Sequence, residues 1–354
     1  MGAGFVLPLF LTQIIFRGLV AMAKTNSATV AVRQKKNKLK YGKWGIIFIL
    51  PFFIAYFLFS FYPLITTFYY SFFSRYKDPV TIKTVEKFVG FQNYSTLFTK
   101  EPFSETGFLY HFGNTFLLWI LGFIPQILLS LLFASWFTDI RLKLKGTGIM
   151  KVVLYLPNML MASSIAVLFN KLFALSGPVN DLLGTNIDWL QSAWGVRGLI
   201  AAVNFLMWTG NTTILLMAGI MGIDPALYEA SAIDGATAGQ QFRKITLPML
   251  KPIMLYVLVT SMIGGLQMFD IPNLLVKQGG TQKVAQTVVM DISAGIGGSG
   301  DIGLAGAESV ILFFVAGIIG LILFKSMESD DEKEKRKNKK REKAERKAAM
   351  AKGV

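Results

Sequence analysis

Apolar residues along this chain come in long runs, where soluble proteins show alternation or narrow helical stripes. Crossing the hydrocarbon of a bilayer takes roughly 20 apolar residues at helical rise. Six runs reach that length: Trp44 to Phe72, Phe108 to Phe137, Met150 to Phe173, Leu199 to Met221, Ile253 to Leu275 and Ala305 to Phe324. Polar or turn-forming residues separate each run from the next. The pattern predicts an all-α fold, a polytopic membrane helix bundle with six core transmembrane helices. Phe, Tyr and Trp crowd both ends of the first run, where ring dipoles suit the interface, and Pro51, Pro63 and Pro125 predict kinks.

Composition agrees with lipid as the solvent. Of 354 residues, 53% are hydrophobic and 16% charged, against about 25% charged in soluble domains. The formal net charge of +15 is concentrated before the first run and after the last. Such runs orient a membrane chain, because Lys and Arg resist translocation. The stretch 24–43 carries seven Lys or Arg and no acid, which places it in the cytoplasm. Counting spans from there, the loops with Arg141, Lys143 and Lys145 and with Arg243, Lys244 and Lys251 are cytoplasmic, as is the C-terminal tail. Lys77, Lys83, Lys87 and Lys100 lie outside, balanced by Asp78, Glu86, Glu101 and Glu105. Charge and parity therefore agree on six spans, and no nucleic-acid-sized basic face is expected.

The ends of the chain read differently. Residues 1–23 form an apolar extension containing Arg17, without the basic start or small-residue cleavage pattern of a signal peptide. Two readings stay open, an upstream start before a natural Met22 or an extra span with an outside N-terminus, and we favour the first. Residues 24–43 read as a basic cytoplasmic leader. Residues 326–354 mix Lys and Arg with Glu, suiting a solvated helix or disorder near anionic lipid.

Between the fourth and fifth runs, residues 223–252 do not look like an ordinary loop. Asp224 can cap a helix that opens on Pro225, and Leu227, Ala230, Ile233 and Ala236 then recur at helical spacing. Gly235 interrupts, a second short helix follows, and Pro248 and Pro252 are expected to end it. Asp234 is read as an additional local cap of that second helix.

The stretch EASAIDGATAGQQFRKITLP, from Glu229 to Pro248, resembles the EAA loop of the permease subunits of binding-protein-dependent ABC importers. FVGFQNYSTLF from Phe88, YLPNMLMASSIAVLFNKLF from Tyr155 and FDIPNLLVKQGG from Phe269 resemble the carbohydrate-uptake branch of that family. The similarity covers most of Lys43 to Lys325. Two departures are GGTQ from Gly279, where GGP is common, and Asn211 after Trp208-Thr209-Gly210. The resemblance implies a type I permease fold over 44–325, in a bacterial plasma membrane. It also implies a non-enzymatic translocation subunit moving a carbohydrate, an oligosaccharide by preference, through alternating access. The implied partners are a second homologous permease, a cytoplasmic ABC ATPase dimer holding ATP and Mg, and an extracellular sugar-binding protein. In such a loop Glu229, Ala230, Asp234, Gly235, Ala236, Phe242, Leu247 and Pro248 would couple to the ATPase.

A sugar pathway needs amides, carboxylates and aromatic faces at membrane depth, where polar groups are costly unless they face a cavity or a partner. Asn204, Trp208 and Asn211 follow i, i+4, i+7 and share a helix face. On the fifth run Ser261, Gly265, Gln267, Phe269 and Asp270 are candidates, with Glu308 a weaker one. The competing reading of the amides is packing glue between helices. Catalysis is not expected, since the carboxylates fall on opposite sides of the membrane. Without cysteine, and with His111 the single histidine, no metal site is expected either. The glycine-rich stretch 293–310 lacks GxxxxGK[ST], and ATP hydrolysis is expected on another chain.

Overall fold

The computed structural model describes residues 42–77, 83–139, 142, 144–276, 279–297, 300–326, 337–339 and 341–342. The extension 1–23, nearly all of the leader 24–43 and most of the tail 326–354 lie outside them. The first apolar run folds as α1 (Gly42–Tyr56), a π-helical turn (Phe57–Phe61) and α2 (Tyr62–Tyr70). Phe48, Phe52, Phe53, Leu58 and Phe59 stand exposed along it. At its far end Phe68 meets Phe313 edge-on, ring centroids 5.7 Å apart.

An antiparallel hairpin follows, β1 (Phe73–Lys77) with β2 (Thr84–Phe88), then α3 (Gln92–Thr99). These residues were expected as a polar loop. Strands of five residues, with every side chain of β2 exposed, leave little apolar alternation to read. Asp301 docks the hairpin: its carboxylate accepts the Arg75 N–H (2.9 Å), the Ser74 hydroxyl (2.7 Å) and the Gly303 N–H (2.8 Å). Gly303 is required there, because a Cβ would lie 1.6 Å from the Phe73 carbonyl oxygen.

The second run is one helix, α4 (Phe108–Thr138), continuous through Pro125. The third is broken into α5 (Thr147–Met159) and α6 (Ala162–Leu172), which lie at 95° to one another. Leu160 and Met161 are extended between them, just after Pro157 has removed a backbone donor from the last turn. Beyond the short α7 (Pro178–Leu183), the fourth run begins earlier than its apolar residues, as α8 (Ala193–Met221). Ser192 starts it, its hydroxyl accepting from the Gly195 N–H.

Residues 223–252 supply α9 (Pro225–Ile233) and α10 (Ala238–Met249), which bends by 66° into α11 (Lys251–Leu266). Pro248 does not end α10; it lies in the last turn, and Pro252 opens α11. The fifth run breaks after Leu266 and resumes as α12 (Asp270–Leu275). α13 (Val288–Ile296) and α14 (Ile302–Ser326) complete the bundle. Among the described residues four helical stretches are long and apolar enough to cross a membrane, and six if each bent pair is one span. The fold is therefore the all-α six-span bundle the hydropathy predicts.

At the centre α4 packs along α8, with glycines and small hydroxyls at the contact. The Ser130 hydroxyl donates to the Thr209 carbonyl (3.1 Å) and Gln126 donates to Thr212 (2.7 Å). Gly210 lets α5 approach, since a Cβ would fall 2.1 Å from the Leu154 carbonyl oxygen. Two apolar clusters flank this seam. One holds Leu118, Ile165, Ile200 and Leu275, the other Met262, Leu266, Val288 and Ala307.

Candidate functional site

Two places bear on function, one at an end of the bundle and one in its middle. At the end formed by α9 and α10, local chemistry builds two short helices with a sharp turn. Asp224 caps α9, its carboxylate accepting the Ala226 N–H at 2.9 Å. Gly235 turns the chain at a φ of 77°, a conformation that costs glycine nothing. The second helix starts on a capping box, Thr237 with Gln240, so Asp234 ends α9 and does not cap α10. The expectation for Asp234 as that cap is corrected accordingly.

Glu229, Ala230, Asp234, Gly235 and Pro248 are exposed, and Ala236, Phe242 and Leu247 are half-buried. With the exposed Leu227 and the 87% exposed Ile233, α9 presents a surface that mixes apolar side chains with the carboxylates of Glu229 and Asp234. Such a face matches helix-in-groove recognition.

In the middle of the bundle lies a cavity of about 260 Å3 between α4, α8 and α11. Asn204, Trp208 and Asn211 line it together, as their spacing predicts, and Ser261 and Gly265 line it from α11. Gln267, Phe269 and Asp270 do not. Met268, seven residues after Ser261, is the residue that reaches the wall beyond the end of α11 at Leu266, whereas Phe269 and Asp270 begin α12. Glu308 is buried in α14 and is not part of the lining. Asn204 serves both readings, facing the cavity while donating to the Ile200 carbonyl (3.0 Å) and Met268 sulfur (3.5 Å).

The wall contributed by α4 was missed in the sequence: Trp119, Phe123 and Gln126. They stand at the same i, i+4, i+7 spacing that identified the α8 face, so the signal was there to read. Trp119 donates its indole N–H to the Ser261 hydroxyl at 3.1 Å and stacks on Phe123. Thr260 and Tyr256 add hydroxyls from α11. The lining thus sets amides, hydroxyls and aromatic faces among aliphatic side chains such as Leu118, Leu215 and Val257, with no Lys, Arg, Asp or Glu among its residues.

His111 is buried at the start of α4, its two ring nitrogens paired with the Asp291 carboxylate and the Glu105 carbonyl. No metal-sized group of His, Cys, Asp and Glu occurs among the described residues.

Comparison with known proteins places these features. Residues 126–329 match the family described as binding-protein-dependent transport system inner membrane component. The chain is 29% identical to the trehalose/maltose transport system permease protein MalF of Thermococcus litoralis, over 78% of this chain and 92% of that one. It is 26% identical to the arabinooligosaccharides transport system permease protein AraP of Halalkalibacterium halodurans, over 78% and 84%. A crystal structure of a bacterial ABC transporter involved in import of the acidic polysaccharide alginate contains a similar chain. Identity is 25%, the TM-score 0.66, and 81% of this chain and 96% of that one are covered. A second structure, of an alginate ABC transporter in complex with alginate pentasaccharide-bound periplasmic protein, matches at 26% identity and the same TM-score.

Proposed function

The chain belongs to the binding-protein-dependent transport system inner membrane component family, and from that membership we propose that it forms one half of the pathway of an oligosaccharide importer. A second, homologous permease supplies the other half. Two ABC ATPase subunits, which carry the ATP and Mg, dock at the end bearing α9, and a sugar-binding protein delivers solute at the opposite end. The basic loops support a cytoplasmic location for the ATPase end, with the C-terminus.

The observation that carries this reading is one of continuity. The exposed helix α9 and the cavity are joined by a single stretch, α10 running through its bend into α11, whose residues line the cavity. Closure of the ATPase dimer moves α9, and α11 and α8 follow, opening the cavity to one side or the other. Glu229, Ala230, Asp234 and Gly235 seat in the ATPase groove, and Ala236, Phe242, Leu247 and Pro248 hold the seat's shape. Asn204, Trp208, Asn211, Ser261 and Gly265 meet the solute with Trp119 and Gln126.

A neutral sugar fits best. The similar solved transporter is titled for an acidic polysaccharide, whereas this lining presents no cation to a carboxylate. The complex, reconstituted in liposomes with its ATPase and binding protein, should import neutral oligosaccharides at the expense of ATP. If it instead hydrolyses ATP without regard to the binding protein, or takes up uronic-acid oligomers in preference, the reading fails.

A further inference from the structure

We propose that Gln241 is a positioning residue that locks α9 to α10, so that force received by the one is delivered by the other without loss. The inference rests on the coupling role given to α9 above. It starts from how little else holds α9 in place. No residue of α9 is buried, and only Tyr228 and Ser231 are even half-covered; its other side chains are exposed. The turn that follows is equally bare: a Cβ placed on Gly235 would meet nothing within 4 Å. Packing therefore does not set the angle between the two helices.

Hydrogen bonds set it instead. Gln241, 4% exposed on α10, donates from Nε2 to the Tyr228 carbonyl (3.1 Å) and to the Ser231 hydroxyl oxygen (2.8 Å). The Tyr228 hydroxyl reaches the buried Thr246 hydroxyl one turn further along, at 2.9 Å. The two half-covered residues of α9 are thus the two that α10 grips. Behind that grip α10 is anchored well, since Leu250 is fully buried and packs with Ile253 against Gly219 of α8, where a Cβ would sit 2.4 Å from Ile253. A side chain that bridges a bare helix to an anchored one, across a turn with no packing, is the place where motion is transmitted or wasted. Neutral hydrogen bonds can serve here because the Gln241 amide is itself withdrawn from water, so that breaking them leaves a buried donor unpaired.

The test uses the whole complex, with ATPase, second permease and binding protein, in proteoliposomes. It reads ATP hydrolysed per molecule of whichever neutral oligosaccharide the wild-type complex imports from a panel. Gln241→Leu, which keeps the volume and removes the donor, should raise that ratio at least fivefold while the ATPase still copurifies. Because Gln241→Leu can also fail to assemble, a second arm works within one sample. The chain has no cysteine, so Ser231→Cys with Gln241→Cys gives a unique pair that a short bifunctional thiol reagent can bridge. Bridging should restore the ratio to near the wild-type value, since the two helices move as one body. If bridging instead arrests import, the helices must hinge on each other and the proposal is overturned. A Gln241→Leu complex that assembles and keeps the wild-type ratio overturns it too. Glu229→Lys serves as the control for the coupling role itself: import lost there but normal in Gln241→Leu refutes the lock alone, and import normal in both refutes the coupling role.

Discussion

Trp119 lies directly across Gly265: a Cβ on that glycine would stand 2.3 Å from the indole ring. The contact fixes the ring against α11 and aims its N–H at Ser261. An aromatic wall of the cavity thus depends on a missing side chain in the facing helix. Gly265→Ala should push the ring off its site, at a cost of about 1–3 kcal/mol for overpacking. We expect a lower melting temperature and weaker import, with Trp119→Phe in the same chain recovering part of both. A melt followed by tryptophan fluorescence, beside solute uptake, checks this.

Trp208 is 46% exposed in the isolated chain and faces the cavity between two amides. Stacking on a sugar ring face is its natural use. Trp208→Ala should raise the apparent KM for import about tenfold, or about 1.4 kcal/mol, and leave copurification of the ATPase untouched. A change in ATPase binding with no change in KM would count against its place on the pathway.

At the other end of the same stretch, Gly235→Pro demands a φ near −65° where the backbone holds +77°. Asp234→Lys keeps the backbone and reverses the charge of the exposed face. Both should cut ATP-dependent import at least tenfold, about 1.4 kcal/mol. The charge reversal alone should do so with an unchanged melt. Uptake and thermal stability measured side by side separate the two cases.

The hairpin makes a structural prediction. Asp301→Ala removes the acceptor for Arg75, Ser74 and Gly303 together, a loss of about 1–3 kcal/mol where the freed donors stay covered. The hairpin, at Arg75, Lys77 and Lys87, should become a site of early cleavage by trypsin in the intact complex. Cleavage no faster than in wild type would mean that Asp301 is not what holds it.

How much of this was legible in the sequence depends on which physical signal each feature leaves. Spans leave a strong one, because lipid demands a continuous apolar surface, and all six runs correspond to helical stretches. Breaks leave almost none. Leu160 and Met161 are as apolar as the helices they separate, so hydropathy passes over the 95° bend. Gln267, Phe269 and Asp270 were misplaced for another reason: they were chosen for their chemistry, whereas the wall follows the spacing of Ser261, Gly265 and Met268. The α8 face was legible because amides are rare in apolar runs. Trp119 and Phe123 on α4 carried the same spacing but are aromatic, and aromatics in a membrane span attract no notice. Gln241, in a polar segment, had nothing in its surroundings to mark it until its burial was known.

The bend between α10 and α11 has a mechanical consequence. With 16 residues at a rise of about 1.5 Å each, α11 is an arm about 24 Å long. With Leu250 taken as a pivot at one end, Gly264 and Gly265 lie at the other. A rotation of about 10° at the pivot sweeps that far end through about 4 Å. Displacement grows with distance from the pivot, so on the proposed coupling a small stroke at the α9 end would arrive as the largest movement at the cavity wall.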